Sequence, residues 1–343
     1  MLKIETKTVL AFTIECEIGQ EGRNSRVYKC YDSALDATLV VKKIKKSSFI
    51  DQERFFQESQ ILYNVEHPNI VSVQYASQDE DYIYIAMQYY PQGSLSCLMQ
   101  TRFLTVKEII KYARQITKGI SHIHSKGFIH FDIKPDNILL SNDIAMLSDF
   151  GLAHYTNEFG LSEPSRLYLK QIPPEAINIE QTQYTYAYDV YQFGLTLYRM
   201  CVGNKEFNIQ FDQFNNREQL DNAILKGQFP NRNKYPLHIP PKIKKIINKC
   251  LNISPDDRYQ SVNDICNQLS NIDKNWLEWQ YFENRSIKKW TKINEGHIIS
   301  LEINHKGDSI ARKLFNNNKE RKISKYRIKK IKNRDILSFL RSY

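Results

Sequence analysis

The spacing of apolar positions changes several times along the 343 residues, and each change marks an element. Residues 12–44 alternate apolar and polar and are rich in β-branched and aromatic side chains, which predicts a strand meander. Over 51–65 the apolar positions Phe55, Phe56, Ile61, Leu62 and Val65 fall instead at helical spacing. Tyr82 to Tyr90 reads as another strand. Lys107 to Ser125 reads as an amphipathic helix whose buried face holds Ile109, Ile110, Ala113, Ile116, Ile120 and Ile123. Two more helices are expected over 241–251 and 261–269. Met1-Leu2-Lys3-Ile4-Glu5 carries charge without a following apolar run, and no run of 18 apolar residues occurs, so neither a signal peptide nor a transmembrane segment is expected.

The length fits about two domains and a core that needs no covalent staples. Cys16, Cys30, Cys97, Cys201, Cys250 and Cys266 are scattered without a C-x-x-C pair, which argues against a zinc module and for reduced thiols in a cytoplasmic or nuclear setting. The net charge of +10 is uneven. Residues 276–343 hold 17 Lys/Arg against 7 Asp/Glu, while the rest of the chain carries 31 of each. The basic character belongs to the C-terminal segment alone.

The chemistry is concentrated between His130 and Gly151. In His130-Phe131-Asp132-Ile133-Lys134-Pro135-Asp136-Asn137, the residues Asp132, Lys134 and Asn137 have a D-x-K-x-x-N spacing, and Asp149 opens Asp149-Phe150-Gly151. One carboxylate is then available to a hydroxyl that must lose a proton, and an ammonium to a phosphate. An amide and a second carboxylate remain for Mg²⁺. Phosphoryl transfer needs this set, because positioning and charge neutralisation supply most of its catalysis.

Together the two motifs resemble the catalytic and metal-binding loops of eukaryotic-type protein kinases. The resemblance covers residues 12–270 and implies an α+β, bilobal protein kinase fold. A small β-rich N-lobe with one main helix would span 12–90 and a larger helical C-lobe 91–272, with a basic C-terminal extension over 273–343. It also implies ATP and Mg²⁺ as cofactors and a protein substrate. Asp132 and Lys134 would be catalytic, and Asn137 and Asp149 would bind the metal. Lys42, in Leu39-Val40-Val41-Lys42, would hold the α- and β-phosphates and pair with Glu58, ten residues before Pro68. Met87 would limit the adenine pocket, with backbone groups of Gln88 and Tyr90 at the adenine edge and Val40 beside it.

The glycine-rich loop departs from the family's G-x-G-x-x-G-x-V. In Ile18-Gly19-Gln20-Glu21-Gly22-Arg23-Asn24-Ser25-Arg26-Val27, Gly22 matches the second glycine and Val27 the valine that packs on adenine. Ser25 replaces the third glycine, and Gly19 lies one residue early. A pseudokinase scaffold is the alternative that this departure raises. Phe131 stands where regulated kinases carry an arginine that reads an activation-loop phosphate; phenylalanine cannot pair with phosphate. Activity independent of activation-loop phosphorylation is therefore expected.

Lys134 is the Ser/Thr-kinase choice, whereas an aromatic residue between histidine and aspartate, followed by D-I-K-P, is similar to the Wee-type kinases that act on tyrosine. Glu175, in the A-P-E variant Pro173-Pro174-Glu175, should pair with Arg258, and Asp189 should cap the catalytic loop. Beyond 272, Ser286 to Asp308 weakly resembles a junction of WD repeats. Residues 316–333 read either as a solvated extension or as a contact for an acidic partner, nucleic acid or lipid surface.

Overall fold

The computed structural model describes residues 10–21, 25–48, 56–157, 161–162, 169–177, 182–272 and 276–343. Alternation in the first segment produces β1 (Thr13–Glu21), β2 (Ser25–Asp32) and β3 (Ala37–Lys45). After α1 (Gln57–Asn64) come β4 (Val73–Gln78) and β5 (Tyr82–Gln88), and the five strands form an antiparallel sheet in the order β1-β2-β3-β5-β4. Its register separates two faces. Cys30, Leu39, Val41 and Ala86 bury on one. Val27 opposite Lys42, Lys42 opposite Ile85, and Val40 opposite Met87 share the other. On that face Ile44, Ile83 and Ile85 take the packing of Phe56, at the start of α1.

The larger lobe is built on α2 (Leu95–Thr101) and α3 (Val106–Ser125). Thr105 and Glu108 close a capping box that fixes where α3 begins. Ile109, Ala113, Ile116, Ile120 and Ile123 are buried as the helical period predicts, Ile110 is half-buried, and Tyr112 completes the stripe. Gly119 is required by packing, since a Cβ there would stand 2.8 Å from the Asn69 carbonyl oxygen. β6 (Phe128–Ile129) pairs with β9 (His154–Tyr155), and β7 (Ile138–Ser141) with β8 (Ile144–Leu147), so the catalytic motifs lie on two short hairpin-like ladders. Beneath them runs α4 (Ala187–Val202), buried along its whole length. A helix apolar all round belongs in a core, and its polar residues there need partners. α5 (Asn204–Phe211), α6 (Arg217–Leu225), α7 (Pro241–Cys250) and α8 (Val262–Ser270) complete the lobe. This is the bilobal α+β arrangement that the motifs imply.

Residues 276–343 are folded onto this lobe. β10 (Gln280–Glu283), β11 (Ile287–Asn294), β12 (His297–Asn304), β13 (Ser309–Phe315) and β14 (Glu320–Lys322) form a second antiparallel meander, closed by α9 (Asn333–Ser342). Trp290, Leu301 and Ala311 line up across its inner face. They continue the same core as the larger lobe, together with Trp279, Tyr281 and Phe339. The seam is hydrogen-bonded: Lys107 N to Leu277 O at 3.0 Å, and Gln280 Nε2 to Phe103 O at 2.8 Å. Trp290 Nε1 donates to His238 Nδ1 at 3.2 Å, and burial lowers the His238 pKa to about 3, which keeps the ring a neutral acceptor. Among the described residues no helix is long and apolar enough to cross a membrane.

Candidate active site

The site lies where the five-stranded sheet of the smaller lobe, β1–β5, meets β6–β9. Lys42, on the inner face of β3, extends its ammonium to Glu58 Oε1 at 3.0 Å and Asp149 Oδ1 at 2.8 Å. Lys42 and Glu58 come from the smaller lobe and Asp149 from the larger, so one cation joins both. Burial pushes the Asp149 carboxyl up, but the adjacent Lys42 more than offsets this and holds it below the usual carboxylate range. Asp149 has φ +60°, a left-handed conformation uncommon outside glycine. Gly151 is tied to this contact, because a Cβ there would sit 3.3 Å from both Asp149 Oδ1 and Lys42 Nζ.

The second group forms around Asp132. Lys134 Nζ lies 2.7 Å from Asp132 Oδ2, and Asn137 Nδ2 donates to the same oxygen at 2.7 Å and to Asp132 O at 3.0 Å. Asp132 Oδ1 is buried and has no hydrogen-bond partner. Burial raises the Asp132 pKa; Lys134 opposes that shift and the nearby Asp149 charge adds to it. Ser148, next to Asp149, donates to Asn137 O through its amide at 2.9 Å and its hydroxyl at 3.0 Å, which holds the two groups together.

Phe131, like Asp149, is strained, with φ +64°. Its backbone is held from below by α4. Asp189 accepts from His130 N and Phe131 N, both at 2.9 Å, and lies 2.8 Å from His124 Nε2. His124, in the last turn of α3, is thus part of this support. Gln192, one turn further along α4, adds a second support. Its Oε1 accepts from Ile133 N at 2.9 Å, while Nε2 donates to Phe131 O at 2.8 Å and Gln171 O at 3.4 Å. One buried carboxamide therefore grips the backbone on both sides of Asp132 and the segment before Glu175. Its only sequence signal is its place one turn after Asp189. Glu175 and Arg258 pair through two bonds, at 2.7 and 2.6 Å, with Arg258 fully buried.

The expected nucleotide-contacting residues are spread over the cleft side. Val27, Val40 and Met87 are partly buried on the face that carries Lys42. Ile18 is the extra residue of a bulge between Glu17 and Gly19 and is 47% exposed; Gly19 lies opposite Val27. Ser25 is buried and its hydroxyl has no partner. Gly22 lies outside the described residues. Gln88 is exposed, whereas the Tyr90 side chain is buried in the core of the larger lobe.

A protein kinase domain family model matches residues 12–270. The chain belongs to the eukaryotic-type protein kinase superfamily. The kinase is 30% identical over 282 residues to a probable serine/threonine-protein kinase of Clostridium acetobutylicum, an alignment covering 79% of this chain and 41% of that protein. It is 27% identical over 228 residues to mitogen-activated protein kinase kinase kinase 1b of Physcomitrium patens, covering 63% and 28%. It is also 27% identical over 241 residues to protein-tyrosine kinase 6 of Mus musculus, covering 69% and 51%. The kinase thus spans less than two thirds of each of these relatives.

Proposed function

We propose that this kinase is catalytically active and transfers the γ-phosphate of ATP to a serine or threonine hydroxyl of a protein. The observation that carries this is the double contact of Lys42, 3.0 Å from Glu58 and 2.8 Å from Asp149. It presets an ammonium for the α- and β-phosphates and sets the two lobes in register. Val27, Val40 and Met87 supply an apolar bed for adenine, with the backbone of Gln88 and Tyr90 at its edge. Ile18, Gly19 and Ser25 belong to the covering hairpin.

Asn137 and Asp149 would hold Mg²⁺. The Asn137 amide nitrogen is turned to Asp132, which leaves its carbonyl oxygen as the ligand, and amide and carboxylate oxygens are the hard donors this ion prefers. When bound, the ion neutralises charge on the phosphoryl oxygens. Asp132 receives the substrate hydroxyl on its unpartnered Oδ1, assistance worth roughly 10²–10⁴-fold. Lys134, on the other oxygen, reaches the transferring phosphate.

Serine/threonine specificity is supported by Lys134 and by the 30% relative named for that activity. A tyrosine-directed reading is favoured by Phe131, the aromatic residue between His130 and Asp132. Phosphoamino-acid analysis of the autophosphorylated protein separates them. Phosphoserine or phosphothreonine is expected, phosphotyrosine alone would select the second reading, and no label at all would favour a scaffold without catalysis.

A further inference from the structure

We propose that residues 276–343 form a module that docks the kinase on an anionic lipid bilayer, with the tips of two hairpins entering the interface. Two features adjoin at the β13–β14 turn of the second sheet, one at that end and one running from it along the edge of β13. The first is apolar. On the face turned away from the core, Ile293, Ile298 and Leu314 lie opposite one another on three adjacent strands and are 76%, 36% and 40% exposed. They flank the β11–β12 turn and the β13–β14 turn, so the end of the sheet presents a continuous aliphatic row. A clustered apolar patch on a soluble surface marks an interaction site more often than do scattered single residues.

The second feature is charge. Beyond β14 the chain runs along the edge of β13, held by hydrogen bonds from Ile323 N to Ala311 O, Ser309 N to Ile328 O and Ile331 N to Gly307 O. Tyr326 anchors it in the core. Every lysine and arginine from Lys319 to Lys332 is exposed on this ordered edge. The acids beside it are few and engaged: Glu320 lies 3.6 Å from Arg312, and Asp308 accepts from Lys330 N.

Aliphatics and cations together fit a bilayer better than a nucleic acid. Single-stranded nucleic acid is met by cations and exposed aromatic platforms, but Trp279, Tyr281, Trp290, Tyr326 and Phe339 are buried, and the exposed Phe282 lies on β10, at the edge of the sheet away from the basic run. Cations draw the edge to anionic headgroups, and inserted aliphatic side chains add area removed from water. The proposal is independent of the catalytic reading.

The test uses the full chain with phosphatidylcholine vesicles prepared with or without phosphatidylserine. Co-sedimentation with the phosphatidylserine vesicles alone is expected, weakening as salt rises. Arg321→Glu/Lys322→Glu/Lys325→Glu should weaken binding on the order of 100-fold. Ile293→Asp/Ile298→Asp should weaken binding at every salt concentration. All five positions are solvent-facing, so melting temperature and phosphorylation of a soluble peptide should not change. Failure to bind phosphatidylserine vesicles, or equal binding by the variants, overturns the proposal. So does tight binding of single-stranded RNA that only the charge variant loses, which would assign the edge to nucleic acid. A dimer abolished by Ile293→Asp, without vesicle binding, would assign the row to a second copy of the chain.

Discussion

Phe131 and Tyr188 meet edge to face, with ring centroids 4.9 Å apart and planes at 72°. Tyr184 completes the cluster, 5.3 Å from Tyr188, and its backbone exchanges hydrogen bonds of 2.9 and 2.8 Å with Ser162, within the stretch 152–172 that the family resemblance makes the activation segment. An aromatic contact worth about 0.5–1.5 kcal/mol beyond burial therefore links catalytic loop to activation segment where the family resemblance puts an arginine and a phosphate. Changing Thr156, Ser162, Ser165 and Tyr168 to Ala or Phe should leave peptide phosphorylation close to wild type. Near-complete loss would mean that a phosphate is needed after all.

Gln192 should behave as a positioning residue. Gln192→Leu removes the partner of the buried Ile133 N–H, at a cost of about 1–3 kcal/mol in stability, and frees the loop around Asp132. Because Lys42, Glu58 and Asp149 are untouched, KM for ATP should hold while kcat falls roughly 10–100-fold. Gln192→Glu, which keeps the acceptor for Ile133 N, should recover part of kcat. Equal losses in kcat and nucleotide affinity would point to general unfolding of the lobe.

The raised pKa of Asp132 has two consequences. As an acceptor of the hydroxyl proton it must be ionised, so kcat/KM should fall on the acid side at a pH above the ordinary aspartate range. For stability the sign is opposite. A carboxyl whose folded pKa exceeds its unfolded value favours folding only while protonated, and that contribution is lost as pH rises through the folded pKa. Asp132→Asn should therefore abolish transfer while keeping or raising the melting temperature at neutral pH. A clear drop in melting temperature would contradict the shift.

Trp290 tests whether the C-terminal sheet is part of the catalytic lobe. It is 2% exposed and donates to His238, itself on the larger lobe. Trp290→Ala should cost about 3–5 kcal/mol, and a chain ending at residue 272 should melt well below the full protein. An unchanged melting temperature for the shortened chain would show two independent bodies.

The legible parts of the molecule were those in which chemistry and spacing lie close in the chain. Asp132, Lys134 and Asn137 fall within six residues, and the isoleucines of α3 repeat at the helical period. Glu175 and Arg258 were readable across a long gap because both stand at the family's spacing, Glu175 in the A-P-E variant and Arg258 downstream, and the structure pairs them. Gln192 was not, since its three partners are backbone atoms at 131, 133 and 171, which leave no mark on side-chain identity. The C-terminal sheet was hidden for another reason. The lysines and arginines of β11, β13 and β14 dominate the composition, while the alternation through Trp290, Ile299, Leu301, Ile303 and Ala311 carries the fold. Read at period two, that stretch predicts a sheet with one buried face.

Transfer of label from γ-labelled ATP to a protein substrate, with the Asp132→Asn chain beside the wild type, tests phosphoryl transfer by this site most directly. Incorporation that needs Mg²⁺ and disappears with Asp132→Asn is the expected result. Label that persists in Asp132→Asn, or no label from a folded wild type that binds ATP, would contradict it.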